Sequence, residues 1–292
     1  MGNETKHTGH MDKPTQDETS DHILSKAKQG EAFVKRSTNP LIADSDEYFK
    51  DNPDKRVRII TPVYSDIAPA FRAQGRKIIG CADEGVRDGI SLDSMGVNGS
   101  YHFVHMIGSG IQTPDCLHEL FKAFPGVYGI TAHAGCAGAA AVARQNGRDD
   151  VDTFAEEFAK EQAKKYGTRY LGIIPLAKMK RPAQFHDAVG VYLDGSGVLD
   201  QSKSQLLPDN CFTLNAAPFE NNEQAMVDEL KTLIGIAHGS HGLGFFSEEQ
   251  PFYIFVVGKK FDTHLDITKL TKIAQNASET TPTVRIVGFE TP

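Results

Sequence analysis

The chain is poor in cysteine, lacks any long apolar run and shows no excess of basic side chains, and each shortage removes a class of function. Four cysteines (Cys81, Cys116, Cys136 and Cys211) scattered over 292 residues do not make a disulfide framework, so free thiols or metal ligands are expected. A bilayer span needs roughly 20 consecutive apolar residues. None of the apolar runs here approaches that length, which argues against a membrane-spanning role. A net charge of -7, with Lys and Arg dispersed along the chain, argues against nucleic acid as a partner and leaves a small-molecule substrate as the expectation. The polar start, Met1-Gly2-Asn3-Glu4-Thr5-Lys6-His7, leads into no apolar signal segment, and a cytoplasmic location is expected. No internal repeat is legible.

Residues 1–22 are rich in His, Thr, Asp and Lys with almost no large apolar side chain, the composition of a disordered tail. His7, His10 and His22 read as solvated residues of that tail. From Ile23 to Phe49 the pattern fits one or two short helices packed as an arm, and Val57-Arg58-Ile59-Ile60 fits a short strand. Thereafter short apolar runs alternate with amphipathic ones. Strands are expected at Arg76 to Cys81, Tyr101 to Ile107, Gly126 to Thr131 and Arg169 to Ile174. A helix is expected after Thr113, with Thr113 as N-cap and Pro114 at its first position, and another over Asp152 to Tyr166. This alternation predicts an α/β fold with a mostly parallel sheet flanked by helices.

His186 to Leu199 reads as a hairpin, because Asp194-Gly195-Ser196-Gly197 is strong turn chemistry between β-rich flanks. Beyond Asp200, strands are expected at Cys211 to Leu214, Phe252 to Val257 and Val284 to Phe289, and helices at Glu223 to Ala237 and Ile267 to Asn276. The domain reading is therefore a tail over 1–22, a metal-binding domain with a helical arm over 23–200, and an additional C-terminal α+β portion over 201–292.

The chemistry concentrates in two places. Ile78-Ile79-Gly80-Cys81 and Ile130-Thr131-Ala132-His133 are apolar runs that each end in a soft metal ligand, and Cys136 follows His133 three residues later. Two thiolates and one imidazole suit a borderline-soft ion such as zinc, and catalytic zinc sites keep three protein ligands with a fourth position open. A redox pair of Cys81 and Cys136 is the other sharp reading, weakened by the absence of a Cys-x-x-Cys. His102 and His105 alternate along one strand and qualify as proton shuttles or as structural residues. His238 and His241, three apart after a helix, lack a nearby Cys or carboxylate partner for a second metal site.

Cys81-Ala82-Asp83, an interval of some fifty residues and then His133-Ala134-Gly135-Cys136 resemble the β-class carbonic anhydrases. Looser similarity extends over about residues 24 to 200, including Phe103-Val104-His105 and the Val189 to Gly197 stretch. The resemblance implies a β-carbonic-anhydrase-like sheet, a Zn2+ ion on Cys81, His133 and Cys136, and reversible hydration of carbon dioxide to bicarbonate by a zinc-bound hydroxide. It also implies a homodimer or higher homo-oligomer, for which the arm at 24 to 50 would suit exchange between subunits. Asp83 matches the aspartate that accepts a hydrogen bond from the hydroxide.

The family carries an arginine two residues after that aspartate, where this chain has Gly85. Arg87 is the expected stand-in, and without a partner Asp83 would close the site as a fourth ligand. Two alternatives follow: a related zinc hydrolase acting on carbon disulfide or carbonyl sulfide, and a non-catalytic metal-stabilised binding or regulatory module.

Overall fold

A computed structural model describes residues 36, 38–60, 67–71, 75–88, 96–97, 99–259 and 266–291. The tail expected over 1–22, its histidines, and the helical reading of residues 23–35 lie outside these residues. Among the described residues the chain is an α/β protein with two sheets whose strand pairs are all parallel. Helix α1 (Pro40–Asp51) opens with Asn39 accepting hydrogen bonds from the Leu41 and Ile42 amides and with Pro40 in its first turn. It precedes the short strand β1 (Val57–Ile60).

The first sheet is built from β2 (Arg76–Cys81), β3 (Tyr101–Met106), β4 (Gly129–His133) and β5 (Arg169–Ile174), in the order β3-β2-β4-β5. Between its strands lie helices α2 (Cys116–Ala123), α3 (Ala137–Gln145) and α4 (Val151–Lys165). Helix α2 starts later than its apparent Thr113 cap. The Thr113 hydroxyl instead donates to Glu229, 2.7 Å away, and Asp115 takes the cap position.

The second sheet uses β6 (Gly190–Asp194), β7 (Cys211–Asn215), β8 (Phe252–Lys259) and β9 (Val284–Thr291), with helices α5 (Glu223–His238) and α6 (Ile267–Ser278) between them. Its order is β7-β6-β8-β9, with β1 added outside β9. The hairpin expected over residues 186–199 is not formed. All five residues of β6 are buried, and it lies between the parallel strands β7 and β8. A hairpin strand would expose one face, whereas a parallel strand is covered on both. The Asp-Gly-Ser-Gly turn is real but leads the chain away from the sheet, with Asp194 Oδ1 accepting from the Ser196 amide at 2.8 Å.

The two sheets repeat one plan. In each, the first strand lies between the second and the third, and the fourth follows the third. Cys81, the last residue of β2, pairs with Met106, and Asp194, the last residue of β6, pairs with Asn215. The repeat escapes the sequence because strand order, not residue identity, is what recurs.

The halves join where β3 faces β7. The Asn215 side chain accepts from the His105 amide at 2.5 Å, and the Thr213 amide donates to the Ala82 carbonyl at 3.0 Å. One hydrophobic cluster contains Ile78, Ile79 and Val104 together with Val191, Phe212, Leu230 and Ile254. Residue 200 thus falls between two neighbouring strands of one sheet, and the described residues on either side of it share a core. Helix α1 covers the second sheet's other face, placing Leu41, Ile42 and Phe49 against Tyr192, Tyr253 and Phe255.

Glu229 on α5 is a fully buried tie between the halves, accepting from the Ile107 amide at 2.9 Å and from Thr113. Burial pushes its carboxyl up to about 7, against the two hydrogen bonds that favour the anion. The fold therefore holds a proton that the unfolded chain releases near pH 4, and stability falls as pH rises from about 4 to about 7. Glu229→Gln is expected to flatten that dependence, raising stability at pH 8 by at most roughly 3 kcal/mol, measured by urea unfolding at pH 5 and pH 8. An equal loss of stability in the variant at both pH values would contradict a protonated Glu229.

Candidate metal centre

Parallel strands collect chemistry at their carboxyl ends, and three sulfur and nitrogen donors meet there. Cys81 ends β2, His133 ends β4, and Cys136 is the N-cap of α3. All three are buried, and their ligand atoms lie within 4.8 Å of one another. The small residues of α3 permit the approach: a Cβ on Gly138 would sit 2.2 Å from Ile107 Cγ2.

Each donor is oriented by the backbone. Cys81 Sγ accepts from the Gly108 amide at 3.1 Å, and Cys136 Sγ accepts from the Ala139 amide at 3.3 Å in the first turn of α3. Gly108 has φ 53, and a Cβ there would meet Ile111 at 2.4 Å, so the turn that aims its N–H at sulfur needs glycine. His133 uses Nδ1 to donate to the Ala134 carbonyl at 3.0 Å, which leaves Nε2 buried with no hydrogen-bond partner. A buried polar atom without a partner costs about 1–3 kcal/mol, and a metal ion would satisfy it. A carbonyl on the far nitrogen is the usual way to fix a ligating imidazole.

The electrostatics also favour a cation. The two sulfurs lie 3.9 Å apart as free thiols, without a disulfide. Burial raises the Cys81 thiol well above its ordinary range, whereas the hydrogen bond from Cys81 lowers Cys136. Burial opposes charge on His133, but the Cys81 sulfur and Asp83 outweigh it and raise the imidazole to about 9. The residues present fit zinc or a similar ion.

Asp83 lies beside this cluster, 3.8 Å from His133 Nε2. Its partner is not Arg87, which donates to the main-chain carbonyls of Asp209 and Cys211. It is Arg181, whose Nε lies 2.9 and 3.1 Å from the two carboxylate oxygens, with the Gly85 amide adding a second donor at 2.8 Å. The glycine and the arginine go together. A Cβ at Gly85 would come within 2.9 Å of both Arg181 Cγ and Met179 Cβ, so a side chain there would displace the segment that delivers Arg181. Burial opposes ionisation of Asp83, yet His133, His186 and Arg181 together hold it at about 2.

Asp83, Glu84 and His186 form a second group with ligand-type atoms in close range. Arg181 already occupies Asp83, and His186 Nδ1 occupies Glu84 at 2.9 and 3.1 Å, so this group is an ion-pair network. A cavity of about 10 Å³ touches Cys81, Asp83, His133, Cys136 and His186 and is closed by Ile107, Phe212, Leu233 and Ile236. Three of those four apolar walls come from the second half of the chain. A wider pocket of about 270 Å³ adjoins it, lined by Arg144, Arg181, Gln184, His186 and His241 among others.

The other histidines are placed elsewhere. His102 pairs with Asp88 at 2.6 Å. His105 donates from Nδ1 to the Cys81 carbonyl, and burial lowers it to about 4. His238 is held by the Ile234 carbonyl and Thr283. The second half repeats the fold without the ligands: Asp194 stands in the place of Cys81, and β8 carries neither histidine nor cysteine.

Metal content should accordingly be one ion per chain, despite two sheets of one plan. Cys81→Ser, His133→Ala and Cys136→Ser should each lower zinc affinity by at least about 10²-fold, and affinity should rise with pH because the ligands must shed protons. Competition with a chromophoric chelator at pH 6.5 and 8 measures both, and two ions per chain or unchanged affinity would refute the assignment.

No protein-family model, curated protein or solved structure matches this chain.

Proposed function

We propose that the protein is a zinc-dependent lyase of the carbonic anhydrase type, which hydrates carbon dioxide reversibly to bicarbonate and a proton. The observation that carries this reading is a carboxylate, pinned by an arginine, beside a three-donor metal cluster on a cavity the size of one water. A zinc ion on Cys81, His133 and Cys136 would lower the pKa of a water to about 7, supplying a nucleophilic hydroxide at neutral pH.

The remaining work falls to the chain's own groups. Arg181 and the Gly85 amide hold Asp83 as an anion beside the ligand set, with Oδ2 3.8 Å from His133 Nε2. Asp83 is then an acceptor for the nucleophile's O–H, which fixes the direction of its attacking lone pair. Phe212, Leu233, Ile236 and Ile107 offer an apolar wall to an apolar, linear substrate and leave little room for further water. The backbone donors to both sulfurs spread thiolate charge, so that the nucleophile is acidified more than two bare thiolates would allow.

Stopped-flow hydration of carbon dioxide by the zinc-loaded protein tests the reading. Asp83→Ala should cut kcat by about 10²-fold or more while zinc stays bound. Arg181→Ala should also lower activity, because the freed carboxylate can reach the fourth ligand position. Stoichiometric zinc with no hydration above background between pH 6 and 9 would rule the activity out.

A further inference from the structure

The inner cavity and the outer pocket share Cys136, Ala137 and His186. With Cys136 committed to the metal and Ala137 inert, His186 is the one of the three that takes up and releases protons near neutral pH. We propose that His186 and Glu84 form a relay dyad that moves protons between the inner cavity and the outer pocket, an assignment that rests on the hydration reading above.

Glu84 is fully buried, and it meets His186 Nδ1 with both oxygens, at 3.1 and 2.9 Å. The Asp187 amide donates to the same carboxylate at 3.1 Å and keeps it in place. In the neutral imidazole Nδ1 therefore carries the hydrogen and Nε2 the lone pair, as in other carboxylate–histidine pairs. The ring is braced by Phe212, with centroids 5.5 Å apart, and its own amide donates to the His241 carbonyl at 2.6 Å.

The charges around the ring come from three sources. Glu84 and Asp83, the latter with Oδ2 3.7 Å from Nδ1, lie on the loop after β2, and Arg181 lies on the segment that carries His186. Burial disfavours the imidazolium, the two carboxylates favour it and prevail, and Arg181 opposes them. The pair thus works as a base stronger than free histidine. Hydration yields one proton for each bicarbonate. His186 Nε2 accepts it from water in the inner cavity, the Glu84 carboxylate against Nδ1 offsets the imidazolium, and Nε2 returns the same proton to a buffer base in the outer pocket. His241, exposed at the rim of that pocket, is the next acceptor toward solvent.

Exchange of 18O between carbon dioxide and water at equilibrium gives two rates, for interconversion with bicarbonate and for release of labelled water, and only the second needs proton transfer. The test variant is His186→Asn, whose amide still donates to Glu84, so no buried carboxylate is left bare. The ratio of water release to interconversion should fall about tenfold or more, and added imidazole, small enough for the outer pocket, should restore it. An unchanged ratio, or one that imidazole does not restore, overturns the relay.

A second readout needs no activity. 15N-histidine NMR should show His186 in the Nδ1–H form, titrating above the ordinary value, and Glu84→Gln should lower that titration by about one unit or more. An Nε2–H form, or a titration indifferent to Glu84→Gln, removes the dyad. Wild-type protein that exchanges no label while the NMR result holds would instead overturn the hydration reading and leave a dyad without that proton to carry.

Discussion

The contact between Arg181 and Asp83 is the constraint on which the rest of the site depends. On the proposed reading, a free carboxylate 3.8 Å from the buried His133 Nε2 would itself serve as a metal ligand, and the trio of donors would become a closed tetrad. A single guanidinium Nε straddling both oxygens prevents this. Its cost is structural: the segment carrying Met179 and Arg181 must lie directly on the loop after β2, and only a residue without a side chain at position 85 leaves space for it. The loop and the arginine are one device, split between distant regions of the chain.

The same segment continues into His186, so the group that restrains Asp83 and the group that pairs with Glu84 arrive together. Adjacent carboxylates are thereby given different tasks by different partners. Asp83 meets a permanent cation and stays ionised far below neutrality, whereas Glu84 meets a cation that comes and goes with a proton. Two like charges at neighbouring positions in a buried loop would repel each other strongly, and the assignment of one basic partner to each makes the arrangement tenable.

How much of this could be read beforehand follows from distance along the chain. Cys81 and His133 were legible because each ends an apolar run, and Cys136 because it follows His133 by three residues; ligand type and local spacing are properties of short stretches. The parallel α/β class was legible for the same reason. Arg181 lies 98 residues from Asp83, and His186 lies 102 from Glu84, with no local pattern to mark either. Arg87 was the nearer choice for Asp83, but the chain turns there and spends that arginine on the carbonyls of residues 209 and 211. The mistaken hairpin came from true turn residues whose flanking strand pairs with β7 and β8 instead of with its neighbour in sequence. The duplicated sheet was invisible because its recurring feature is a pairing order, carried once by a strand ending in cysteine and once by a strand ending in aspartate.

The walls contributed by Phe212, Leu233 and Ile236 come from the half of the chain that carries none of the three metal donors. One half supplies reactive groups, and the other supplies the surface that closes over them, with covalent linkage between the two. Their encounter is intramolecular, governed by the effective concentration that the connecting chain imposes. Dilution, which would separate a pair of subunits sharing such a site, has no purchase on these walls, and they stay in place at whatever abundance the protein is made.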